Sequence, residues 1–209
     1  MTKQKTDAHR PSTQRKIEDI LEAARSEFFD CGFAAASIEA IAAKARVSKV
    51  TIYNHYGDKE NLFGEMLKSH VGRIRNKFEI ANLEHNSLYD ILTAAGMDML
   101  DFLTQDKMIQ FERMLGAEVN RDPKIGSFFL ESGPRYLLDS LAKLLTASIE
   151  KGEIQSDDVR YSAEMFPSLV MGRLDMMMRY GWDPKLTAVA KKDRVKQAVD
   201  SWMRIHQVS

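Results

Sequence analysis

The side chains best suited to chemistry in this 209-residue chain lie between Ser37 and Tyr56, in the run SIEAIAAKARVSKVTIYNHY. Lys49, Thr51, Tyr53, Asn54 and His55 crowd eight residues with an ammonium, a hydroxyl, a phenol, an amide and an imidazole. These are groups that bind phosphate oxygens and base edges. Bond-making chemistry has little to stand on. The histidines at 9, 55, 70, 85 and 206 show no metal-ligand spacing, Cys31 is the single cysteine, and there is no glycine-rich phosphate loop. No catalytic residue, metal or cofactor is expected.

The elements that must hold this cluster can be read from its spacing. Ser37 is placed to cap a short helix carrying Ile38, Ile41, Ala42 and Ala45, with Ala42 small enough to let a second helix cross closely. Val47 fills the corner. Ser48 then caps a second short helix on which Ile52 turns inward, leaving Lys49, Val50, Thr51, Tyr53, Asn54 and His55 around its outer and N-terminal surface. Ahead of this pair, Ile17, Ile20, Leu21, Ala24 and Phe28 fall on one face of a helix that starts near Ser12 or Thr13 and stops at Gly32 in a left-handed turn. Two short helices packed on that amphipathic helix make a helix-turn-helix. Its alternative is a plain helical hairpin, which gives no reason to expose Tyr53, His55 and Tyr56 together.

Charge agrees with this placement. Lys plus Arg equals Asp plus Glu at 30 each, so the chain as a whole is neutral, yet residues 1–16 sum to +4 and residues 41–59 to +3. Glu18, Asp19, Glu22, Glu27 and Asp30 form an acidic strip between them, expected to face away from phosphates. The N-terminus lacks an apolar run of the signal type, and no stretch of about 18 apolar residues occurs. A cytoplasmic protein without a membrane span is the expectation.

The rest of the chain reads as helix after helix. A stripe of Leu62, Phe63, Met66, Leu67, Val71, Ile74 and Phe78 predicts a linker helix of five or more turns from Asp58. Further helices are expected over 87–104, 107–121, 124–130, 134–151, 157–180 and 191–206, with no alternating segment to suggest a strand. The fold class is all-α, with about nine to ten helices: an arm over 1–11, a DNA-binding unit over 12–57, and a larger helical domain over 58–209.

The run IAAKARVSKVTIYNHYGDKENLF within 13–63 resembles the N-terminal domain of TetR-family regulators position by position. The resemblance implies a reading helix whose Lys49, Thr51, Tyr53, Asn54 and His55 contact DNA, and it sets Lys59 against a backbone phosphate at a helix N-terminus capped by Asp58. Arg46 departs from the family, standing where a turn glycine is usual. A non-glycine residue there carries a left-handed cost of about 1–2 kcal/mol, which contact with DNA would offset. Val50 replaces a small residue and is a candidate for pressing on a thymine methyl. Farther on, FERMLGAEVNRDP followed by FFLESGP is similar to the C-terminal domain of a TetR subgroup that includes regulators of multidrug efflux pumps.

That resemblance implies a homodimer on a palindromic operator and a small-molecule effector. Phe166, Leu169, Val170, Leu174 and Met177, with Val195, Val199 and Trp202, lie at helical spacing and are expected to form the dimer interface; the alternative is that these stripes are internal core of a single copy. Met66, His70, Phe102, Phe111, Met114, Met171, Asp175 and Met176 are the candidate ligand-binding residues, since methionine adapts to varied apolar shapes and scattered polar groups would orient a ligand. Arg113, Glu118 and Arg173 are further polar candidates. The expected function is a transcriptional repressor released from its operator by a mostly apolar ligand. Its alternative on the same fold is a ligand-independent architectural or protein-interaction factor.

Overall fold

The computed structural model describes residues 12–182 and 185–208; the expected arm over 1–11 lies outside them. Eleven α-helices and one 3-10 turn, and no strand, make up the described residues: α1 (Ser12–Ala35), α2 (Ile38–Ala45), α3 (Lys49–Tyr56), α4 (Lys59–Lys77), the 3-10 turn Ile80–Glu84, α5 (Leu88–Leu103), α6 (Asp106–Val119), α7 (Pro123–Ser132), α8 (Pro134–Glu150), α9 (Val159–Met171), α10 (Leu174–Arg179) and α11 (Ala188–Ile205). Side-chain caps set most of the helix starts. Ser37, Ser48, Asp58, Ser87, Asp122, Asp158 and Thr187 each accept a hydrogen bond from a first-turn amide. Thr13, one of the two expected caps of α1, already lies inside the helix.

Gly32 interrupts α1 with φ 83° and ψ 174°, the left-handed break expected at that residue, and a short helical tail follows to Ala35. The expected single helix over 157–180 is two: Gly172, at φ 49°, ends α9, and α10 restarts at Leu174. Arg194 on α11 holds the end of α9, donating to the carbonyls of Val170 (2.6 Å) and Met171 (2.7 Å).

Two apolar cores result. One lies among α5, α8, α9, α10 and α11; the other lies under the helix-turn-helix. The second does not end at residue 57. Met108, Phe111 and Leu115 of α6 and Ile125 of α7 enter it, and Phe111 stacks on Phe29 with ring centroids 4.6 Å apart. Phe63 meets Phe28 and Phe33 edge-on at 5.0 and 5.1 Å, a geometry that adds to simple burial.

The fully buried residues Phe166, Val170, Val195, Val199 and Trp202, and Leu174 at 5% exposure, belong to the chain's own core. They are therefore not free to form the dimer interface expected of them. A stripe at helical spacing shows that one face is covered, and here α5, α9 and α11 cover one another. Only Leu169 and Met177 of that set remain partly exposed.

Phe111→Ala tests the aromatic junction, since it empties a site shared by α1, α4 and α6. It should lower unfolding free energy by about 3–5 kcal/mol in urea titration; a loss under about 1 kcal/mol would mean that the junction collapses around the gap.

Candidate DNA-reading head and effector cavity

The helix-turn-helix is built as its spacing predicts. Ile38, Ile41, Ala42 and Ala45 of α2 and Ile52 of α3 are buried against α1 and α4. The Ser37 hydroxyl accepts from the Ala40 amide and the Ser48 hydroxyl from the Thr51 amide, both at 3.1 Å. Both serines thus shape the helices that present the other groups. The Ser48 and Thr51 hydroxyls also lie 2.9 Å apart, leaving Thr51 half-buried.

With Ile52 as the inward anchor, α3 turns Lys49, Val50, Tyr53, Asn54 and His55 to solvent; Val50 is 60% and Tyr53 46% exposed. An exposed β-branched residue beside an exposed phenol has no use in a core. Lys49 Nζ lies 3.2 Å from Glu39 Oε1, but both groups are well exposed. Such a pair is worth roughly 0–1 kcal/mol, and it leaves the ammonium ready to exchange Glu39 for a phosphate.

Arg46 occupies the turn at φ 57°, ψ 41°, the left-handed conformation expected there. The Val47 amide donates back to the Ala42 carbonyl at 3.0 Å, and Val47 packs on the core, completing a helix stop of the kind glycine usually supplies. The Arg46 side chain is exposed.

Lys59 has partners within the chain. Its ammonium donates to the carbonyls of Ala34 (3.2 Å) and Ala36 (2.7 Å) and sits 4.7 Å over the Phe33 ring. It joins α4 to the end of α1 from a half-buried position, while Asp58 caps α4 by accepting from the Asn61 amide at 2.7 Å. The same corner is held from the other side by Glu118 on α6, whose carboxylate accepts from the Phe33 and Ala34 amides at 3.1 Å each. Glu118 is thus a clamp on the reading head and not a ligand group. A pairing 85 residues apart leaves no trace in local sequence.

Behind the head, a cavity of about 460 Å³ opens between α4 and the larger domain, within the size range of small-molecule sites. Leu67, Val71 and Ile74 of α4 form one wall, and Phe102, Phe129 and Phe166 add aromatic faces. Of the eight candidate ligand residues, Phe102, Met171 and Asp175 line it. Phe111 is sealed in the domain junction, Met66 and His70 border a separate crevice with Glu22 and Arg25, and Met176 is 53% exposed. Met114, half-buried, is not part of the lining either. Glu112 and Arg179 also line it, and nothing in the sequence pattern marks them, because it does not show that α6 and α10 meet at the cavity rim.

His70 stands between Phe29 of α1 (5.2 Å) and the cavity-lining Phe102 (4.6 Å), with Nε2 buried and unpartnered among the described residues. Burial, aided by Arg25, holds its pKa down to about 4 from 6.5.

This architecture defines a helix-turn-helix DNA-binding regulator with an attached helical domain. Residues 20–66 match the family model of bacterial regulatory proteins of the tetR family, and residues 90–207 match that of the AefR-like transcriptional repressor C-terminal domain. The chain belongs to the TetR family of transcriptional regulators. It is 27% identical over 168 residues to the HTH-type transcriptional regulator YvkB of Bacillus subtilis, covering 78% of this chain and 81% of that protein. Among solved structures, a TetR-family regulator from Mesorhizobium loti superposes with a TM-score of 0.74 at 23% identity, covering 95% of this chain and all of the other. The flavonoid-responsive regulator FrrA does so at 0.69 and 28% identity, over 93% and 98%.

Two outcomes test this local physics. Arg46→Gly relieves about 1–2 kcal/mol of left-handed strain and returns about 0.4–1 kcal/mol to unfolded-chain entropy, so melting temperature should rise slightly; a fall would show that the turn carries no strain. His70, with its folded pKa depressed, contributes stability that is full above pH 6.5 and declines as pH drops toward 4, because the unfolded state takes up the proton first. Urea midpoints at pH 7.5 and 5 should therefore converge in His70→Gln relative to wild type, and an equal drop in both proteins would refute the assignment.

Proposed function

We propose that this regulator is a cytoplasmic homodimeric repressor that leaves a near-palindromic operator when a small, mostly apolar molecule fills the cavity behind its reading head. The observation that carries the reading is one helix serving two sites. α4 starts at the corner held by Lys59 and walls the cavity with Leu67, Val71 and Ile74. At 1.5 Å per residue its 19 residues form a lever about 28 Å long. A ligand that wedges against the middle of this lever shifts its head-bearing end, and two reading helices fit successive major grooves at only one separation.

In this reading residues 12–57 read DNA and residues 58–209 sense and dimerise. Lys49 meets a phosphate, Tyr53, Asn54 and His55 reach base edges, Val50 presses on a thymine methyl, and Arg46 contacts the flanking backbone. The core-facing sides of α9 and α11 are occupied, so the second copy is assigned to their outer sides, where Tyr161 (62% exposed), Leu169 and Val189 (67%) remain. The flavonoid-responsive character of FrrA supports an aromatic or apolar effector. No helix among the described residues is long and apolar enough to cross a membrane.

Selection of bound sequences from random duplex DNA tests the assignment. Wild type should enrich a near-palindrome. Tyr53→Ala should relax preference at discrete positions by about 1–3 kcal/mol each, and Lys49→Ala should weaken all sequences alike and reduce the salt slope by about 1. Unchanged selection in both variants would remove α3 as the reading helix.

A further inference from the structure

The cavity wall is mostly apolar, and its few polar side chains are not equivalent. Ser168 donates its hydroxyl to the Glu164 carbonyl at 2.9 Å, and Asp175 accepts from Arg179 Nε at 3.1 Å. Glu112, on α6, takes no hydrogen bond among the described residues although it lines the same space. With Arg179 matched by Asp175, the lining has one carboxylate in excess. We propose that the effector site selects an apolar body bearing a protonated amine, with Glu112 as the anchor for the ammonium and the aromatic wall as the receptor for the rest.

The physical case has three parts. A carboxylate in an apolar lining is costly unless a partner meets it, and among the described residues Glu112 has no hydrogen bond or close ion pair, with Arg179 acting on it only through space. Phe102, Phe129 and Phe166 face the same volume, and aromatic faces attract an ammonium once it leaves water. Burial and the neighbouring Asp175 push the Glu112 pKa up to about 6, with Arg179 opposing them in part; the charge of a bound cation acts in the same direction as Arg179 and favours the ionised carboxylate. An anionic ligand would have to draw Arg179 from Asp175 and leave two carboxylates facing it.

This inference rests on the effector reading of the cavity, and the test separates the two. Calorimetry on the full-length wild-type protein uses three probes of matched shape: 4-phenylbutylamine, 4-phenylbutan-1-ol and 4-phenylbutyrate. The amine should bind at least tenfold tighter than the alcohol, with the butyrate weakest, and should release operator DNA at lower concentration. Glu112→Gln, which conserves shape and breaks no hydrogen bond, should cut the amine's advantage to under threefold while leaving the alcohol unchanged. Arg179→Gln, at an exposed position, frees Asp175 and should tighten the amine severalfold. Equal or tighter binding of the alcohol or butyrate in wild type, or an amine preference that survives Glu112→Gln, overturns the proposal and leaves the effector reading standing. Failure of all three probes to bind overturns the effector reading as well.

Discussion

The clamp at the end of α1 is the constraint on which the reading head depends. Gly32 breaks that helix, exposing amides at Phe33 and Ala34 and carbonyls at Ala34 and Ala36 in a partly buried corner. Unpaired backbone groups in such a place are costly. Glu118 satisfies the amides and Lys59 the carbonyls, one charge from α6 and one from α4. Gly32 is tightly fitted as well, because a Cβ there would collide with the Glu118 carboxylate. The angle at which α2 and α3 leave α1 is therefore set by residues that do not belong to the helix-turn-helix.

This arrangement links the head to the rest of the molecule through two kinds of contact. Directional hydrogen bonds from Glu118 and Lys59 fix the corner, and the Phe28, Phe29, Phe33, Phe63 and Phe111 rings fill the space beneath it. Packed aromatic groups resist small displacements and yield only by repacking. His70 and Phe102 extend the same ring system to the cavity wall. Packed rings thus run without a gap from the cavity wall to α1.

Local rules made much of this legible in the sequence. Caps at Ser37, Ser48 and Asp58, the left-handed positions at Gly32 and Arg46, and the outward set on α3 follow from residue type and spacing. Partners distant in the chain did not. The stripe containing Phe166, Val199 and Trp202 has the same periodicity whether a second copy or α5 covers it, and only the packing decides. That Lys59 also ties α4 to the carbonyls of Ala34 and Ala36 shows only once the fold brings them beside it. Methionine content proved a poor guide to the cavity: Met171 reaches it, while Met66 and Met114 do not, because filling odd spaces is as useful in a core as around a ligand.

The position of Glu118 bears on how such proteins can be recombined. A segment cut at residue 57 would carry the whole of α3, yet it would leave behind the carboxylate that closes the α1 corner and the Phe111 ring that completes the floor. The reading head is portable as a recognition sequence but not as an independent fold. Exchange between relatives would have to bring α6 along with α1 to α4, and a specificity graft confined to α3 would disturb neither.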